Sequence, residues 1–199
     1  MNPPDPTPVP RAPLSPARIH EAALALIDEH GIEGLSMRRL AAALGVDPMS
    51  IYHHVPGKQA LLQGVFQSVL EELVIPRRGA GGWQAVLRQL AARFHALARR
   101  HPRVVRALLA SSQPTARERE IHAAIDVCLA EAGFEVQDRI RLAWSIYTYA
   151  TGLAGVSARE PAADLEFSIE LMIAGIETLA ARRAGSAGPA SPDGKGAGR

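Results

Sequence analysis

Between Gly31 and Gly57 the chain carries a start or stop signal every few residues, and this punctuation leaves room only for short helices. Ser36 is placed to cap a helix N-terminus, and Gly45 is the matching stop. Asp47 followed by Pro48 repeats the start signal: a carboxylate that can accept a backbone N–H, then a proline at the first helical position, where its missing N–H costs nothing. Pro56-Gly57 ends that second short helix. Two short helices joined by a glycine turn are the sequence form of a helix-turn-helix. Leu40, Leu44, Val46 and Ile51 are its inward anchors, while Arg38, Arg39, Ser50, Tyr52, His53 and His54 are left as outward donors.

The flanking segments have the same helical spacing. Ser15 and Pro16 open a helix whose stripe is Ile19, Ala22, Ala23, Leu26 and Ile27, with Gly31 as its stop. A longer helix is expected from Lys58 to Leu73, with Leu62, Val65, Phe66, Val69, Leu70 and Leu73 turned inward. After the break "PRRGAGG" at 76–82, helices are expected at 83–101, 103–110, 115–132, 137–157 and 163–183. No run alternates with β-strand spacing, so the fold class is all-α. The expected organisation is a disordered tail over 1–13, one helical domain over 14–75, a second over 83–183, and a disordered tail over 184–199. Six prolines in 1–13 and a Gly/Ala/Ser/Pro-rich end argue against packed structure in the tails.

Composition narrows the function classes. The net charge of +2 conceals an uneven distribution: ten basic against four acidic residues in 61–120, but five against six in 1–60. A lone cysteine, Cys128, allows no intrachain disulfide and no cysteine-based zinc site, which suits a reducing, cytoplasmic setting. It shares an apolar helix side with Ile121 and Ile125 and reads as core. The N-terminus lacks the apolar segment of a signal peptide, and no stretch is apolar for long enough to span a membrane. His53 and His54 project about 100° apart on a helix and cannot comfortably share one metal ion, so neither metal nor cofactor is expected. An enzyme using His95 or His101 as a base is the alternative class, but no nucleophile stands beside either at a familiar spacing. The basic run at 98–106 reads as a solvated face rather than a nucleic-acid-binding patch.

The run "ALALIDEHGIEGLSMRRLAAALGVDPMSIYHHVPGKQALLQGV" resembles the N-terminal domain of the TetR family of bacterial transcriptional repressors. The "GIEGLSMRRLA" opening, the "LGV" turn, "IYHHV" and the "K-x-x-LL" start of the following helix all carry the likeness. It implies binding to a double-stranded DNA operator. Arg38 would then read a base edge, while Ser36 and Ser50 touch phosphates. Pro48 and Met49 would form the leading edge of the recognition helix, with Arg39 beside them as a further donor. Tyr52, His54 and Lys58 would contact the backbone, and His53 falls where relatives carry a bulky aromatic. Neither Pro48 nor Met49 can make paired hydrogen bonds to a base, so readout should lean on Arg38, thymine methyls and DNA shape. The acidic residues of 1–60 are an oddity for such a surface.

The rest of the chain resembles the tetracycline-repressor-like branch through "GWQAVLRQLAARFHALARRHP", "CLAEAGF" and "LEFSIELMIAGIETLAARR". This implies a homodimer through the last two helices, with Ala143, Tyr147, Ala150 and Ala154, then Ile169, Met172, Ile173, Ile176 and Leu179, at bundle spacing. It also implies a small-molecule inducer, for which Phe94, His95, Leu108, Ser111, Trp144, Tyr147, Thr148 and Thr151 are the candidate lining residues. Tetracycline binders of the family use a histidine after an "HP" break to help hold a magnesium–drug complex. Here that region reads "VVRALLASS", so neither tetracycline nor magnesium is expected. The same DNA-binding fold answering to a protein partner is the alternative to an inducer.

Overall fold

The computed structural model describes residues 13–77, 79, 81–156 and 163–186, and all regular structure among them is helical. In chain order the helices are α1 (Pro16–His30), α2 (Met37–Leu44), α3 (Pro48–Tyr52), α4 (Lys58–Glu71), α5 (Gly82–Arg100), α6 (Pro102–Leu109), α7 (Ala116–Glu131), α8 (Val136–Val156) and α9 (Ala163–Ser186). A single 3-10 turn, Ile32–Gly34, lies between α1 and α2, where the spacing had marked only a stop. Of the expected tails, 1–12 and 187–199 lie outside the described residues, whereas 184–186 continue α9.

The early helix ends follow from single residues. Ser15 Oγ accepts the Arg18 N–H at 3.3 Å, and Ser36 Oγ accepts that of Arg39 at 3.2 Å. Asp47 Oδ1 accepts the Met49 N–H at 2.8 Å, with Pro48 in the position that needs no donor. At Gly45 the chain turns left-handed (φ 66°, ψ 37°), and the Gly45 and Val46 N–H groups return to Ala42 and Ala41 carbonyls. A side chain with Cβ would be strained there, so the glycine defines the turn between α2 and α3.

Contacts divide the chain into two compact units. Of the described residues, the first comprises those up to Glu71 together with His101–Thr115, and the second comprises those in Glu72–Arg100 and from Ala116 onward. In the first unit α1 is the hub, packing against α2, α4 and α6. Its core contains Ile19, Ala23, Ile27, Leu35, Leu40, Ile51, Leu61, Val65, Phe66 and Val69. Leu61, not Leu62, is the fully buried first residue of the α4 stripe. The phase is otherwise as expected, since Val65, Phe66, Val69, Leu70 and Leu73 are all buried, and Leu61 extends that face one turn back from Val65. Although α6 follows α5 in sequence, it packs on α1 and α4. Arg103 on α6 donates to the carbonyls of Asp28 and Glu29 in the last turn of α1, and His101 Nδ1 lies 2.7 Å from Asp28 Oδ2. A cation at that end also suits the helix dipole.

In the second unit α5 packs against α7, α8 and α9. Long polar side chains tie these helices together. Arg88 pairs with both oxygens of Glu170 (2.5 and 2.9 Å), Arg139 reaches Asp126 at 2.9 Å, and Arg183 pairs with Asp138. Ile169, Ile173 and Ile176 of α9 are buried within the chain itself. These three isoleucines were expected at a dimer interface, and their burial removes them from it. The exposed apolar side chains here are instead Val136, Ile140 and Trp144 on α8 and Phe167, Leu171 and Leu179 on α9. Ala143, Tyr147, Ala150 and Met172 are half-buried, and the Ala154 side chain lies outside the described residues. Cys128 is buried in the core. Among the described residues no helix is long and apolar enough to cross a membrane.

Candidate nucleic-acid interface

The surface around α2 and α3 is built from a small anchor and a set of outward side chains. A five-residue helix cannot hold itself together in water. It is held here by Ile51, which is fully buried, by Val55 just beyond it, and by Leu40, Ala41 and Leu44 on α2. Val46, expected as a fourth anchor, is only half-buried. With that face committed to the core, Met49 (63% exposed), Tyr52, His53 and His54 are turned to solvent, and Pro48 and Ser50 are half-buried. Arg38, Arg39, Ser36 and Lys58 are exposed as well, so all ten candidate residues lie on or beside one helix-turn-helix.

Two adjacent arginines differ in what they already do. Arg39 Nη1 donates to the Gly34 carbonyl at 2.9 Å, and Lys58 Nζ donates to the Ile32 carbonyl at 3.3 Å. Both cations therefore brace the 3-10 turn. Gly34 suits that turn because a Cβ there would stand 2.5 Å from the His30 Cβ. Arg38 makes no hydrogen bond or ion pair among the described residues and keeps its whole guanidinium fork for a partner. The Ser36 Oγ, used as an acceptor in the cap, still has its own proton to give. Two of the acids noted in the sequence lie beside imidazoles, Asp28 Oδ2 at 2.7 Å from His101 Nδ1 and Glu29 at 3.6 Å from His30.

The candidate inducer residues fall in both units. Leu108 is buried and Ser111 half-buried in the first unit, where Ser111 Oγ accepts from Gln63 Nε2 at 3.3 Å. The other six are in the second. Phe94 is half-buried and His95 buried; burial holds the His95 imidazole below its ordinary pKa, and Arg99 adds to the effect. Tyr147 stands edge-on to Trp144 (centroids 6.0 Å) and to His122 (5.8 Å), and burial followed by the charge of Glu118 raises its phenol. Trp144 and Thr148 are exposed, and Thr151 bonds back to the Thr148 carbonyl at 2.9 Å. Selection by residue type missed His122, because its place beside Tyr147 depends on how α7 docks on α8. Among the described residues no group of three or more His, Cys, Asp or Glu side chains could hold a metal ion.

Comparison with known proteins places this geometry. The profile described as "Bacterial regulatory proteins, tetR family" matches residues 19–65. The transcriptional repressor DrrR1 of Streptomyces coeruleorubidus is 46% identical over 94 residues, which are 47% of this chain but only 35% of that repressor. The class E tetracycline repressor of Escherichia coli is 30% identical over 146 residues, covering 71% of this chain and 67% of the relative. Among solved structures, the TetR family protein ActR of Streptomyces coelicolor, in complex with (S)-DNPA, is similar in fold with a TM-score of 0.69. It is 23% identical, and the match covers 85% of this chain and all of ActR.

Proposed function

The chain belongs to the TetR family of bacterial regulatory proteins, and from that premise we propose that it is a transcriptional repressor that binds a palindromic operator as a homodimer and is released by a small-molecule inducer. DNA binding is assigned to residues 14–75, and dimerisation and inducer binding to 83–183. The observation that carries the proposal is the α2–α3 surface: a recognition helix anchored by Ile51, exposing Met49, Tyr52, His53 and His54, beside an uncommitted Arg38. An arginine with both arms available can bond guanine O6 and N7 in the major groove, and the neighbouring hydroxyls, imidazoles and Lys58 suit phosphate oxygens.

The dimer is supported by the apolar side chains that α8 and α9 leave in water, Val136, Ile140, Trp144, Phe167, Leu171 and Leu179. A second copy of the chain would cover them. Two recognition helices about 34 Å apart then meet half-sites one helical turn apart. An inducer that favours a dimer with another spacing lowers DNA affinity by the same coupling free energy that DNA imposes on the inducer, typically ~1–3 kcal/mol. The relatives' ligands, tetracycline and (S)-DNPA, are theirs; the inducer of this chain is some other small molecule met by the aromatic and polar side chains named above.

The test is DNA binding by gel shift or anisotropy, first with the DNA upstream of the protein's own gene and then with duplexes selected from a random library. Tight, salt-sensitive binding to a palindrome is expected. Should Arg38→Ala and Tyr52→Ala bind that DNA as well as the parent, the helix-turn-helix reading is wrong.

A further inference from the structure

One side chain in the first unit fills a space that only glycine leaves open. His20 on α1 lies against Gly64 in the middle of α4, and a Cβ at Gly64 would stand 2.1 Å from its Nε2, 2.4 Å from Cε1 and 2.8 Å from Cδ2. The ring thus occupies the site of the missing side chain. Ser68, one turn on, donates to the Gly64 carbonyl at 2.9 Å, and its Oγ is 3.5 Å from His20 Nδ1. A glycine and a serine bonded back to its own helix are both features that weaken or bend a helix. Here they coincide under one imidazole. We infer that His20 is a proton-sensitive wedge that sets how α1 lies on α4, so that acidification loosens the first unit and weakens its hold on DNA.

The chemistry around the ring supports this. Burial holds the imidazole below its ordinary pKa, and the charge of Glu71 at the end of α4 offsets part of that effect. The other charged groups near α1 are spoken for or exposed. From α6, His101 and Arg103 engage the last turn of α1 at Asp28 and Glu29, two turns from His20, and Arg106 is exposed. From α2, Arg39 holds the Gly34 carbonyl and Arg38 is exposed. Glu33 of the 3-10 turn and Glu21 on α1 itself are exposed. A second proton makes the ring a cation that water stabilises better than the notch does. Because its pKa is lowered on folding, the wedge contributes fully above the ordinary histidine pKa of ~6.5 and is lost as pH falls through the lower folded value. The consequence for DNA follows from connectivity. α1 packs on α2, and α4 begins just after α3, so a shift of α1 on α4 moves the helix-turn-helix.

The experiment uses the full chain and four proteins: the parent, His20→Gln, Gly64→Ala, and the double variant His20→Ala with Gly64→Ala. Melting and DNA affinity are measured from pH 8 to pH 5. Gly64→Ala is expected to push the ring out of the notch and so to flatten the pH dependence of Tm as His20→Gln does, and adding His20→Ala to it should change that pH dependence no further. Between pH 8 and pH 5 the parent should lose roughly tenfold more DNA affinity than His20→Gln, and more of its Tm. A Gly64→Ala or a His20→Gln protein that keeps the parent's pH dependence in both readouts overturns the inference. The DNA arm rests on the repressor reading. A parent that binds no DNA at pH 8 sinks that reading, while the melting series still decides the wedge.

Discussion

The two units solve the same packing problem by different means. In the first, the boundaries of short helices are set by residues beside them in sequence: Ser15, Ser36 and Asp47 at the starts, Gly31 and Gly45 at the stops. Its apolar side chains turn inward, and beside α3 what remains outside is largely rich in donors. In the second unit the helices are long and are tied across their faces by Arg88–Glu170, Arg139–Asp126 and Arg183–Asp138, while bulky apolar side chains on α8 and α9 stay in water. The difference indicates what each unit lacks. Under the proposed function the donors of the first unit would meet a polyanion, and the apolar side chains of the second would meet another copy of the chain.

That contrast can be broken most sharply in the cores. Leu40→Ala empties a fully buried site in the first unit and is expected to cost about 2–5 kcal/mol of stability, measured by urea denaturation. Leu171→Ala removes a similar side chain that is 59% exposed on α9. Its effect should appear as dissociation on dilution, read by light scattering, rather than as a lower unfolding free energy of the monomer. If Leu171→Ala destabilises the dissociated chain as much as Leu40→Ala does, the contrast between the units is false.

The next effect separates two neighbouring arginines. Arg38→Ala is expected to weaken operator binding by about 1–3 kcal/mol, roughly five- to 150-fold, with loss of discrimination at one base pair. The salt dependence should stay near the parent's, because a base contact releases few counterions. Arg39→Gln should act differently: it unties the 3-10 turn from Gly34. An unchanged salt slope would mark Arg39 as a brace, while a slope shallower by about 0.9 would mark it as a phosphate contact.

These two arginines also show where sequence reading runs out. The helix boundaries were legible because each was marked by a cap, a proline or a glycine within a residue or two, and those interactions are local. That the ten candidate residues gather around α2 and α3 was legible from the glycine turn and from the resemblance, because these residues are close in sequence. Tertiary choices were not. Leu61 rather than Leu62 faces the core although both fit the spacing, because the packing of α1 on α4 decides which edge of the stripe is covered. The packing of α6 against α1, the bracing roles of Arg39 and Lys58, and the seating of His20 on Gly64 join residues 26 to 75 positions apart or depend on an unmarked 3-10 turn. Ile169, Ile173 and Ile176 were expected at an interface yet are buried within the chain for the same reason: periodicity finds an apolar face but does not say which helix will cover it.

A smaller effect tests the local side of the contrast. Asp47→Ala removes the side chain that accepts the Met49 N–H and should cost about 1 kcal/mol, whereas Asp47→Asn should keep most of the cap. Both are read as shifts in the denaturation midpoint. Because α3 is short, loss of its cap should also lower operator affinity, and a variant that loses stability with no loss of affinity would show that α3 is positioned by Ile51 alone.

The smallest effect belongs to the cross-helix ties. Hydrogen bonding from Arg88 holds the Glu170 carboxyl below the ordinary carboxylate range against a smaller opposing effect of burial, but both side chains are substantially exposed. Water and salt screen such a pair, so Arg88→Gln should lower Tm by about a degree or less at neutral pH. The sign with pH is fixed by the lowered pKa. The contribution is present above the usual carboxylate value and is lost as pH falls through the folded one, so parent and variant should converge once the carboxyl is protonated. A gap that persists in acid would mean that Arg88 supports α5 and α9 through its aliphatic stem rather than its charge. In that case the second unit, like the first, would be held by apolar packing, and its ion pairs would set only the alignment of its helices.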